Sequence, residues 1–264
     1  MSSPTRPACT IILCAPTADG FSVFMVQRHR KSGFLPNAWV FPGGRVDDGD
    51  RLDGHARVHG GAVACEQMGL STDDGVAFLV AGVRETFEEA GIWLGSGQLP
   101  DSARDALNDR TSTLAPLLDQ HDVSIDLDAL GVWSWWVTPK AEPKRYDTRF
   151  LVAIVAKQSG RHDDRETVDS AWIDPRKLLE DWSQETFTMA PPTWWVLKEL
   201  ARYESAAEVA AACATRDRQP IEPVLEFNEG FHLYLPGHER HDSPKIPDFP
   251  VHIGFDGKRW LADF

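Results

Sequence analysis

The sequence predicts an α/β fold built as one domain with extensions. Strand-like apolar runs alternate with segments of helical period along the chain. A hydrophobic fraction of 42% with ten tryptophans supplies a core. A length of 264 residues suffices for one large α/β domain and only marginally for two. The main domain is expected over residues 1–219, with 220–264 an extension packing on the same domain.

Residues 10–15 and 22–28 are apolar runs joined by Thr17-Ala18-Asp19-Gly20, the pattern of a β-hairpin. A short strand over 38–41 runs into Pro42-Gly43-Gly44, where glycine permits a sharp turn. From 45 to 75 the chain turns to Asp, Gly and His and reads as an inserted loop, with a short helix near 59–68. The clearest helix covers 76–92, where Leu79, Val83, Phe87 and Ala90 share one apolar face. A surface helix is expected over 101–118, strands over 132–137, 150–156 and 167–173, and a helix from Pro175. A long helix over 193–213 would start at Thr193 as N-cap, behind Pro191-Pro192. The tail from Pro220 holds only short apolar runs such as 231–235.

Forty acidic against 27 basic side chains give a net charge of −13, and no basic stripe is present for a nucleic acid. An acidic enzyme acting on an anion needs local compensation, by metal or by a few placed arginines. Cys9, Cys14, Cys65 and Cys213 show neither C-x-x-C spacing nor a partnered His pattern, which points away from zinc and disulfides. The amino end lacks a basic n-region, and no apolar run approaches the ~18 residues of a membrane span. With no peroxisomal tripeptide at the end, the expected setting is cytoplasmic. The expected partner is a small molecule, without nucleic acid or membrane, and a homodimer is left open.

On the 76–92 helix, Glu85, Glu88 and Glu89 stand at i, i+3 and i+4, on the face opposite Leu79. As a solvated acidic face they would pair with Arg84. As a site, three carboxylates repel one another until a hard cation such as Mg²⁺ or Mn²⁺ takes their oxygens. The surrounding string decides between these readings: Arg84-Glu85-Thr86-Phe87-Glu88-Glu89-Ala90-Gly91-Ile92, with Phe41-Pro42-Gly43-Gly44 upstream.

That string resembles the Nudix box, whose second half is R-E-x-x-E-E-x-G and an aliphatic residue. Here the box is split by about 26 extra residues, near 51–76, and Asp50, or its neighbours Asp47 or Asp48, stands in for the first glutamate. The resemblance implies the Nudix α/β/α sandwich with a mixed β-sheet, loops folded back at Gly43, Gly44 and Gly91, and a metal-dependent diphosphatase. It places Mg²⁺ or Mn²⁺ on Glu85, Glu88 and Glu89, has Glu85 or a further acid activate water, and has Arg84 orient Glu85. Outside the box, Glu166 and then Glu226 are candidates for that further acid.

The run Lys144-Arg145-Tyr146-Asp147-Thr148-Arg149-Phe150 sets three cations beside a strand in an acidic protein. Lys144, Arg145 and Arg149 suit phosphate, and Tyr146 or Trp136 could stack on a base. The run, with Pro191-Pro192-Thr193, is similar to the coenzyme A diphosphatases of the Nudix motif 19 branch. By that likeness the substrate is coenzyme A or acyl-coenzyme A, cut to 3',5'-ADP and (acyl-)4'-phosphopantetheine. NADH, ADP-ribose or a nucleotide sugar is the alternative substrate set, and an inert Nudix-fold binding module the alternative class. His29, His55, His59, His232, His238, His241 and His252 fit no metal spacing and are expected in solvent or packing roles, as Trp133 and Trp135 are in packing.

Overall fold

β1 (Thr5–Thr17) and β2 (Gly20–Arg28) form the expected hairpin, with Cys14 opposite Val23 and Thr17 opposite Gly20. Both strands are covered on two faces, which is why they read as near-continuous apolar runs. Cys9, Ile11 and Leu13 enter one core while Ile12 and Cys14 enter the other. The computed structural model describes residues 3–30, 36–158, 160–163, 165–183, 189–216, 218–228 and 230–264.

After β3 (Trp39–Val40) and β4 (Gly43–Arg45), the inserted segment holds more regular structure than the one short helix expected near 59–68. It carries a 3-10 turn (Asp48–Asp50), β5 (Val58–His59) and α1 (Ala62–Met68). Leu52, Ala64, Cys65 and Met68 bury into the first core, against α2 (Thr72–Ala90). Helix α2 starts four residues earlier than the apolar period indicates, because Ser71 caps it by accepting from the Asp74 N–H at 3.2 Å.

The single helix expected over 101–118 is two, α3 (Asp101–Asn108) and α4 (Leu114–Gln120). Between them Arg110 adopts φ 56°, and the N–H groups of Thr111 and Ser112 both turn back to the Ala106 carbonyl. β6 (Ile125–Asp126) pairs with β5, and β7 (Leu130–Val137) then runs antiparallel to β8 (Arg145–Ile154). Strand β8 begins five residues before the expected 150, so the whole R-Y-D-T-R-F run lies within it. β9 (Thr167–Ile173) and α5 (Pro175–Ser183) follow as expected.

The long helix expected over 193–213 is also two, α6 (Pro191–Leu200) and α7 (Ala206–Ala212). Pro191 and Pro192 sit inside the first turn of α6 behind Ala190, so Thr193 is not the cap. Ser205 starts α7 by accepting from the Glu208 N–H.

The main sheet has the order β10 (Pro220–Ile221), β7, β8, β1, β2, β3, with β4 added to β1 and β9 to β2. β1 and β8 are parallel, as are β7 and β10, while the other pairings are antiparallel, which makes the sheet mixed. One core joins the sheet to α2, the other to α5, α6 and α7. The tail adds a second antiparallel sheet in the order β11 (Val224–Glu226), β12 (Phe231–Tyr234), β13 (His252–Phe255), β14 (Trp260–Asp263). Its Leu233, Ile253 and neighbouring Phe249 enter the second core. No helix among the described residues is long and apolar enough to cross a membrane.

Candidate active site

Helix α2 is buried almost all round beyond its first turn, so Glu85, Glu88 and Glu89 do not form a solvated face. Glu89 is only 6% exposed. Arg84, also buried, organises the cluster: its Nη1 donates to Glu85 Oε1 at 3.0 Å and to both Glu88 oxygens at 3.1 Å. Its Nε and Nη2 donate to the two oxygens of Asp50 at 2.7 and 2.9 Å, a bidentate fork that fixes the guanidinium. Of the three aspartates that could replace the first box glutamate, Asp50 is the one with no exposed surface. Its Oδ2 also accepts from the Asp47 N–H, locking the 3-10 turn.

The glycines place backbone against these carboxylates. Gly43 at φ 156° donates its N–H to Glu89 Oε2 at 3.0 Å. A Cβ on Gly44 would lie 2.5 Å from the Glu85 carboxyl carbon, so a side chain there would displace Glu85. Gly91, at φ 66°, ends α2 in the left-handed conformation. Arg104, which sequence reasoning missed, then caps the helix by donating to the carbonyls of Glu88 and Glu89 at 2.9 and 3.0 Å. The only available signal was a cation placed after the helix-ending glycine.

Burial pushes the Glu85 carboxyl up to about 7, with Arg84 opposing and Glu88 adding to the rise. Burial also raises Glu88. Glu89 is driven well above the carboxylate range by burial and by Glu85, against the pull of the Gly43 N–H. Burial alone would depress Arg84, but the Asp50 hydrogen bonds and the charges of Glu85, Asp50 and Glu88 outweigh it and keep the guanidinium protonated.

The donor set is all oxygen and its negative charge is undercompensated, which fits a hard divalent cation. As placed, the carboxylates are turned toward their donors, and among the described residues no three His, Cys, Asp or Glu side chains are gathered as a ready metal group. The folded Glu85 pKa lies above its unfolded value of about 4.5, so its burial stabilises the protein below that value. That contribution is lost as pH rises through about 7, where the ionised form is available to a cation. The rise in Tm on adding Mg²⁺ should therefore be larger at about pH 7.5 than at about pH 5.5, measured by scanning fluorimetry. An equal rise at both values would contradict it.

The cluster borders a cleft of about 740 Å³ that is also lined by Asp47, Glu166, Trp136 and Tyr146. Glu166 is thus brought to the site. Glu226 is not; it pairs with Arg240. The expected phosphate-binding cations are also elsewhere. In β8, Tyr146, Thr148 and Phe150 line the cleft, while Arg145, Asp147 and Arg149 do not, as the period of two in a strand dictates. Arg145 is buried and donates to the Thr138 and Ser3 carbonyls and to Glu222. Arg149 is bonded to Asp147 and stacked 3.6 Å above the Trp135 ring, and Lys144 is exposed outside the cleft. Arg145→Ala should therefore cost about 2–3 kcal/mol in urea unfolding and change KM by less than about twofold. A large rise in KM with unchanged stability would restore the substrate role.

His232, His252 and His238 gather around Tyr234 in the second sheet, where His232 Nδ1 lies 3.0 Å from His252 Nε2. None of the three lines the cleft. Trp133 is fully buried and donates to Glu199.

The family model of the NUDT19 Nudix domain matches residues 63–202. The acyl-coenzyme A diphosphatase NUDT19 of Homo sapiens is 28% identical over 286 residues, covering 89% of this chain and 74% of that protein. The protein of the same name from Gallus gallus is 26% identical, covering 92% of this chain and 81% of its own. A crystal structure of a NUDIX hydrolase from Alicyclobacillus acidocaldarius superposes with a TM-score of 0.71 at 27% identity, covering 83% of this chain and 99% of that one.

Proposed function

The chain belongs to the NUDT19 Nudix domain family, and from that premise we propose that it hydrolyses the diphosphate of coenzyme A or an acyl-coenzyme A. The products are 3',5'-ADP and 4'-phosphopantetheine or its acyl form. The carboxylates of Glu85, Glu88 and Glu89 would hold Mg²⁺ or Mn²⁺. A bound ion of this kind neutralises diphosphate oxygens and acidifies the attacking water.

The chain's own residues do the positioning. Asp50 fixes Arg84, Arg84 holds Glu85 and Glu88, and the Gly43 N–H holds Glu89. Glu166 borders the same cleft, and no ion pair ties its carboxylate among the described residues. With Glu142 it is one of two carboxylates from outside the box in the cleft lining, and of the two it is the one predicted by the sequence to take the proton of the attacking water. Tyr146 and Trp136 both line the cleft, and Tyr146, the less buried of the two, would offer its ring to a base.

The observation that carries the substrate choice is the double character of this cleft. Besides the carboxylates, it is lined by Leu225, Phe231, Leu233 and Trp260 of the second sheet. A diphosphate with a long, weakly polar arm matches such a lining, whereas a nucleotide sugar would leave it bare. Incubation with coenzyme A, NADH, ADP-ribose and a nucleotide sugar in Mg²⁺, with products resolved by chromatography, tests the reading. Coenzyme A should be cut with the highest kcat/KM; failure to cut it while another compound turns over would overturn the substrate assignment.

A further inference from the structure

The residues that give the cleft its apolar lining continue beyond it. Phe231 of β12 and Trp260 of β14 border the cleft, with ring centroids 5.2 Å apart. Phe231 in turn meets Phe227 edge-on at 5.6 Å. Phe227 does not line the cleft and is 68% exposed. The three rings thus make a continuous path from the cleft to solvent. The path is anchored, because Trp260 Nε1 donates to the Met189 carbonyl at 3.0 Å, just ahead of α6. Phe255 supports Trp260 from beside it at 4.7 Å.

We propose that the path Trp260, Phe231, Phe227 receives the acyl chain of the substrate and makes the C-terminal sheet the element that selects chain length. The proposal rests on the coenzyme A reading above. Three features commit the path to a chain rather than to another occupant. It is continuous with the cleft that holds the carboxylates, its three members are aromatic rings in edge-to-face contact, and it opens to solvent at Phe227, so a chain longer than the cleft can leave it. A chain lying along rings loses water from its methylenes one by one, so affinity should rise with length up to Phe227 and level off beyond it.

The test compares dodecanoyl-coenzyme A with coenzyme A on the full-length protein. The ratio of their kcat/KM values should fall about fivefold in Phe227→Ser, close to the loss of one buried methylene, and further in Phe231→Ala. Phe227→Ser removes an exposed side chain, so its folding is not at stake; near-ultraviolet circular dichroism checks Phe231→Ala. An unchanged ratio in both variants overturns the proposal. So does a wild-type dimer that Phe227→Ser converts to monomer with the ratio intact, since the exposed ring would then serve a second copy of the chain. If the wild-type protein cuts no coenzyme A compound, it is the function reading that fails, which separates the two outcomes.

Discussion

On the proposed function, Glu89→Gln should lower kcat by roughly a thousandfold or more, because it would remove a charged ligand from a site where a bound cation stabilises the diphosphate. The substitution is nearly isosteric. The glutamine oxygen can still accept from the Gly43 N–H, which keeps the loop at Gly43 in place. Stability should move the other way. Glu89 is buried among Glu85 and Glu166, and its raised pKa reports an uncompensated charge. Without metal at neutral pH, the neutral variant should be at least as stable as the parent. Wild-type turnover in Glu89→Gln would remove this residue from the site, and a loss of activity accompanied by unfolding would make its role structural.

Asp50→Ala should carry the largest effect on stability, about 3–5 kcal/mol, because it leaves the buried Arg84 guanidinium without the carboxylate that fixes two of its nitrogens. Activity should fall as well. Arg84 would lose its orientation and release Glu85 and Glu88, so Asp50 acts as a positioning residue. Urea unfolding and kcat together test this, and Asp50→Asn, which preserves shape, should recover part of the stability. A double variant with Arg84→Met that costs no more than Asp50→Ala alone would show that both substitutions act on one interaction. Full additivity of the two would contradict the pairing.

The site's helix was legible because two independent signals agree on it. Leu79, Val83, Phe87 and Ala90 carry the helical period, and the Glu85, Glu88, Glu89 string carries the chemistry. The fold's α/β character followed from β1 and β2, whose uninterrupted apolar runs mark strands covered on both faces. The misread helices share one cause: their breaks contain neither glycine nor proline. Arg110 takes a positive φ without a glycine, and the Ser205 cap hides in a polar stretch. The placement of Arg145 and Arg149 differs from the expectation for another reason. Their charge reads as a patch, while strand alternation turns Tyr146, Thr148 and Phe150 to the cleft and pairs both buried arginines with carboxylates that do not line it. The second sheet's share of the cleft depends on packing between residues far apart in sequence, such as Trp260 and Met189, and no local pattern encodes it.

The most direct test of a metal-dependent coenzyme A diphosphatase is phosphorus NMR of coenzyme A mixed with metal-stripped protein, before and after Mg²⁺ is added. The diphosphate resonances should persist without metal and be replaced after Mg²⁺ by the phosphomonoester signals of 3',5'-ADP and 4'-phosphopantetheine. Diphosphate that stays intact with both Mg²⁺ and Mn²⁺, or that is cleaved equally well without metal, would contradict the account.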